Sequence, residues 1–177
     1  MDSHSPPSNS ITPTQIRLLI TGGTFDKEYN ELTGQLFFRE THVQDMLELG
    51  RCRVPIAIQK LMMRDSLEMT PEHRAEIREA CRSSRESRIV ITHGTDTMEH
   101  TARCLGEANL DKTIILTGAM VPYKFGSSDG LFNLGAAIAL AQALPPDIYV
   151  AMNGRFFIWS NVTKDRQSGE FKELSPA

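Results

Sequence analysis

Short apolar runs alternate with longer amphipathic stretches along most of this chain. Residues 16–20 (IRLLI), 54–61, 88–92 (RIVIT), 113–117 (TIILT) and 147–152 (DIYVAM) read as strands. The stretches between them carry helical spacing. Thr41 is placed to cap a helix through Leu49, with Val43, Met46 and Leu47 on one face. Thr70-Pro71 opens a second, reaching about Arg85, because threonine caps well and proline fits the first helical position. A third spans Thr97–Asn109, with Met98, Ala102 and Leu105 inward. An Ala-rich fourth runs from about Ser128 to Leu144 and is stopped by Pro145-Pro146. Residues 25–40 have no helical period. Gly34 is expected to turn a small hairpin there, between Glu31-Leu32 and Leu36-Phe37-Phe38, and a connection of this length is often an active-site lid.

Alternating strands and helices predict a parallel sheet covered on both faces. The expected fold is therefore a doubly wound, flavodoxin-like α/β sandwich of three layers in a single domain, with residues 147–152 as its last strand. Met1–Thr14 is rich in Ser, Pro and Thr, lacks the apolar stretch of a signal peptide, and reads as a disordered leader to a domain over 15–177.

Composition narrows the function class. Nineteen Lys and Arg against 22 Asp and Glu give a net charge of −3, which offers no basic surface for nucleic acid or an anionic membrane. No apolar run approaches the ~20 residues that span a bilayer. Cys52, Cys81 and Cys104 are odd in number and form no CxxC, so neither a disulfide framework nor a zinc knuckle is indicated, and a reducing cytoplasm fits. The histidines, at 4, 42, 73, 93 and 100, have no metal-ligand spacing, and no metal site is indicated.

In open parallel sheets, ligands bind beyond the carboxyl ends of the strands. Three of those ends are rich in glycine and hydroxyls: Thr21-Gly22-Gly23-Thr24, His93-Gly94-Thr95-Asp96-Thr97, and Thr117-Gly118-Ala119-Met120. None matches a phosphate-binding or GxSxG pattern. The first is either a plain tight turn or a mount for Thr24 as a nucleophile, which needs a nearby base; Tyr29 is a candidate assistant. In the second, capping explains Asp96 or Thr97 but not a glycine, two threonines and an acid together. A carboxylate there suits a substrate ammonium, with Thr95 facing the same crevice as Thr24. His93 reads better as structural than as a base. Lys164 is either a solvated surface lysine or, if buried, a base for a threonine.

Taken together, TGGTF (21–25), DSLEM (65–69), THGTDTMEHTA (92–102), LTGAMVP (116–122) and SDGLFNLGAA (128–137) resemble the bacterial-type L-asparaginase and glutaminase family, in the family's order. The resemblance implies Thr24 as the attacking nucleophile, Tyr29 as its partner in a mobile loop, and Thr95, Asp96 and Lys164 as the second catalytic group. It also implies Ser66 on the substrate α-carboxylate, Asp96 on the α-ammonium, and Gly23, Gly94 and Ala119 along the substrate. The implied reaction is hydrolysis of the side-chain amide of L-asparagine through an acyl-threonine, without cofactor, in a cytoplasmic homodimer or homotetramer. Full-length members carry a second, C-terminal domain, whereas this chain stops shortly after Lys164. Short, single-domain asparaginases of this size also resemble it. Two other readings remain: a catalytically silent binding module for aspartate or asparagine, and the amidase domain of a larger amidotransferase.

Overall fold

The computed structural model describes residues 15–174. The leader expected over residues 1–14 lies outside them. The first strand, β1 (Ile16–Gly22), passes through a short turn (Thr24–Asp26) into a hairpin of β2 (Lys27–Asn30) and β3 (Gln35–Phe38). Helix α1 (Val43–Leu49), strand β4 (Ile56–Arg64), helix α2 (Pro71–Ser83) and strand β5 (Arg88–Thr92) follow. Next come α3 (Met98–Gly106), β6 (Thr113–Thr117), α4 (Gly130–Ala143) and β7 (Asp147–Met152). The chain continues into β8 (Arg155–Ile158), β9 (Thr163–Lys164) and β10 (Phe171–Lys172).

The central sheet has the order β4-β1-β5-β6-β7-β8. Its first five strands are parallel, so the doubly wound, flavodoxin-like expectation holds, in a single α/β domain. Alternate residues of each strand face opposite layers. Leu19, Ile91, Leu116 and Val150 join Ile77 and Cys81 of α2 and Met98, Ala102 and Leu105 of α3. Leu18, Val90, Ile115 and Tyr149 join Val43 and Met46 of α1 and Leu134, Ala137 and Ile138 of α4. Burial on both faces is why these strands appear in the sequence as unbroken apolar runs. Each such Leu or Ile contributes ~1.5–3 kcal/mol by leaving water.

Several boundaries differ from expectation for identifiable reasons. The hairpin pairs Lys27–Asn30 with Gln35–Phe38, so Glu31-Leu32 lies in the turn and not in an arm. Asn30 shapes that turn by accepting the Leu32 and Thr33 N–H groups on its side-chain oxygen. Helix α1 begins at Val43 with His42 as its N-cap, because the buried Asp26 carboxylate accepts both the Thr41 hydroxyl and the His42 N–H at 2.9 Å. These bonds tie the two roots of the hairpin together. Strand 54–61 shifts to 56–64, and α2, α3 and α4 end short of their expected limits at Ser83, Gly106 and Ala143. The Thr70 cap is present, reinforced by a reciprocal bond from the Thr70 N–H to His73 Nδ1.

Strand β7 is not the last strand of the sheet. Asn153 and Gly154, both at positive φ, reverse the chain, and β8 pairs antiparallel with β7 at the edge. An Asn-Gly pair is a strong two-residue hairpin signal. In the aromatic run that follows, Phe157 is buried in the core and the Trp159 ring lies against Gly106, where no side chain would fit.

Candidate active site

The sheet order reverses between β1 and β5, which is where an open sheet of this kind leaves a crevice. The turns leaving these two strands meet there in backbone contact. Gly23, at φ 81°, abuts the Gly94 backbone so closely that any Cβ would collide with it. A Cβ on Gly94 would lie 2.7 Å from Ser66 Cβ and Oγ. These glycines therefore bring TGGT, HGTD and DSLEM into one cluster, and their lack of side chains makes the approach possible.

Hydrogen bonds lock the cluster. The Thr21 hydroxyl donates to the Thr92 carbonyl at 2.7 Å, and the Gly23 N–H donates to the Arg64 carbonyl at 3.0 Å. Thr97 begins α3 as N-cap residue but makes no side-chain capping bond. Its hydroxyl donates instead to the Ser66 carbonyl at 2.7 Å and accepts from Arg74 at 3.0 Å, joining the HGTD and DSLEM turns. Asp65 caps the DSLEM turn and receives Lys27 from the hairpin at 2.5 Å. Burial pushes the Asp65 carboxyl up, but the bonds from Lys27 and the Leu67 N–H outweigh it and leave its pKa below the ordinary value.

Three of the expected residues converge. Lys164 Nζ donates to Thr95 Oγ1 at 2.8 Å and to Asp96 Oδ1 at 2.7 Å. The Lys164 side chain is only 8% exposed, so the surface-lysine alternative is excluded; Asp96 is 44% exposed and faces the open crevice. Thr95 is buried, and its hydroxyl is 3.7 Å from Met120 Sδ. Thr24 is half-buried at the end of β1, and its hydroxyl bonds to no described residue.

Two expected residues stand differently. Tyr29 is 54% exposed on the hairpin, with its hydroxyl beside Gly34, and shares no hydrogen bond with Thr24. Ala119 is wholly buried on the α1 and α4 side, and the next residue, Met120, is the one that reaches the crevice. His93 is structural. It is fully buried, with Nδ1 2.7 Å from the Gly94 carbonyl and Nε2 2.8 Å from the Thr101 hydroxyl. Burial pushes its pKa down to about 4.

Three further residues, which lie inside the motifs 92–102 and 128–137 but were given no role of their own from the sequence, build the site. Glu99, in the first turn of α3, accepts the Lys164 backbone N–H at 2.7 Å and so sets where that lysine enters. Asp129 accepts the Met120 and Val121 N–H groups at 3.0–3.1 Å, and Asn133 bonds both Asp129 and the Gly118 carbonyl at 2.9 Å. An acid and an amide four residues apart at a helix start are a recognisable pair.

The family model "Asparaginase, N-terminal" matches residues 15–171. The chain belongs to the asparaginase family. L-asparaginase 1 of Escherichia coli is 35% identical over 117 residues, or 63% of this chain and 35% of that protein. The solved L-asparaginase of Thermococcus kodakarensis superposes with a TM-score of 0.78 at 29% identity, over 92% of this chain and 52% of its own. A structure of a probable cytoplasmic L-asparaginase from Campylobacter jejuni superposes at 0.75 and 29% identity, over 85% and 49%. This asparaginase-family chain thus spans about half the length of the solved relatives it matches.

Proposed function

We propose that this protein hydrolyses the side-chain amide of L-asparagine to L-aspartate and ammonia. The observation that carries the reading is the buried Lys164 amino group bridging Thr95 and Asp96 at the mouth of the β1–β5 crevice. Asp96 uses one oxygen on Lys164, and its other oxygen has no partner among the described residues, leaving it for the substrate α-ammonium. Ser66, held against Gly94, takes the α-carboxylate.

Thr24 is the nucleophile in this reading. Its Oγ1 attacks the side-chain carbonyl carbon as its proton passes through the Thr95 hydroxyl to the Lys164 amine, which accepts it in its neutral form. The tetrahedral adduct then collapses, and the C–N bond breaks as the nitrogen takes up a proton and leaves as ammonia. Water hydrolyses the aspartyl-threonine, releasing aspartate and restoring the hydroxyl. The Thr95 N–H is the candidate donor to the developing oxyanion. The relatives' names support amide hydrolysis, and the Campylobacter protein's description supports a cytoplasmic setting. A homo-oligomer is proposed on the same family grounds.

The test is ammonia release from L-asparagine and, in parallel, L-glutamine. Thr24→Ala and Thr95→Val are each expected to lower turnover by ~100-fold or more while leaving the circular dichroism spectrum unchanged. Folded wild-type protein that binds aspartate but releases no ammonia would move the reading to a silent binding module.

A further inference from the structure

We propose that Met120 is a site of reversible oxidation that switches this centre off. The inference rests on the amidohydrolase reading for its effect on turnover, but not for the chemistry at sulfur. Met120 is 42% exposed, whereas Met46, Met69, Met98 and Met152 are buried and Met62 and Met63 are half-buried. Among the described methionines it is the one most open to a dissolved oxidant. Its position is also constrained. The Asp129 carboxylate holds its N–H. Its terminal methyl packs on the turn between β9 and β10, where a Cβ on Gly169 would come within 3.1 Å. Its sulfur, 3.7 Å from Thr95 Oγ1, receives the hydroxyl that also accepts from Lys164.

The oxidant is hydrogen peroxide. A sulfur lone pair attacks one peroxide oxygen, the O–O bond breaks, and an S–O bond forms. Proton transfer to the departing oxygen yields water, so sulfur is oxidised and peroxide reduced. A thioether is a weak acceptor, while a sulfoxide oxygen is a strong and bulkier one. Placed against Thr95, that oxygen accepts the hydroxyl's hydrogen bond and competes for the Lys164 amino group. The pair that would manage the proton of Thr24 is then engaged elsewhere. Methionine sulfoxide reductase, acting with a thiol, returns the oxygen as water and restores the thioether.

The experiment treats purified protein with graded hydrogen peroxide and follows two readouts at each time point, peptide mass mapping of every methionine and ammonia release from asparagine. The expected result is that Met120 sulfoxide forms ahead of sulfoxide at Met62 and Met63, and that turnover falls about tenfold or more in proportion. Reductase treatment should restore both readouts. Met120→Leu, scaled to its own untreated rate, should hold that rate through the exposure. Earlier oxidation of Met62 or Met63, full Met120 oxidation without loss of turnover, or a Met120→Leu protein inactivated as fast as wild type would each overturn the proposal. Protein with no turnover before peroxide would refute the amidohydrolase reading instead, and the peptide map would still decide whether Met120 is the preferred target.

Discussion

His93 offers a measurable link between burial and the shape of the site. A carbonyl only accepts hydrogen bonds, so the 2.7 Å approach to the Gly94 oxygen assigns the ring proton to Nδ1. Nε2 then accepts from the Thr101 hydroxyl. The neutral ring is satisfied on both sides, whereas a second proton would be buried without water and with the Arg74 charge acting on it. The folded pKa is pushed down to about 4 from an ordinary 6.5. At about 1.4 kcal/mol per unit, the difference is on the order of 3 kcal/mol. Because the folded value lies below the unfolded one, this stability is complete above pH 6.5 and drains away as pH falls toward about 4. Urea unfolding from pH 7.5 to 4.5 should show the loss, and His93→Gln should lose stability less steeply over the same interval. Imidazole resonances followed by NMR give a second readout that needs no variant. One ring should stay neutral until about pH 4. If every imidazole titrated between pH 6 and 7, the assignment of His93 as a buried neutral anchor would be refuted.

Two further substitutions probe the cluster itself. Gly94→Ala pushes a Cβ to 2.7 Å from Ser66 and should cost about 1–3 kcal/mol while raising KM for asparagine, read from thermal melts and steady-state kinetics. Wild-type melting and an unchanged KM would mean that the two turns are not held together as described. Lys164→Met keeps the apolar stem but removes the amino group. Turnover should fall ~100-fold or more, while stability changes by less than about 1 kcal/mol because Asp96 is half open to water and is not stranded. A large loss of stability together with lost turnover would assign Lys164 a structural role.

The sheet was legible because four of its strands, β1, β5, β6 and β7, are buried on both faces, and such burial leaves unbroken apolar runs regardless of what packs on them. Strand β8 was harder to see, since Arg155–Ile158 is only four residues long and buries Phe157 alone. The Asn153-Gly154 turn before it was the stronger cue. The hairpin arms slipped because the turn depends on one side chain, Asn30, and not on hydrophobic period.

At the site, the hydroxyls, acid and glycines gathered after buried strands marked Thr24, Thr95 and Asp96 as candidates and left Lys164 open between a surface lysine and a base, while their roles came from the family resemblance. What brings Lys164 to Thr95 is a fact of three dimensions. Sixty-nine residues separate them, and the approach depends on Glu99 holding the lysine backbone. The tertiary structure likewise decided which neighbour faces the crevice. Backbone direction at Gly118 turns Ala119 into the core and Met120 outward, a choice made by the Asp129 carboxylate and the Asn133 amide at the start of α4. Composition and spacing specify local chemistry and which faces must be buried. Long-range hydrogen bonds and the close contact of glycines, which the linear pattern does not encode, determine where that chemistry meets.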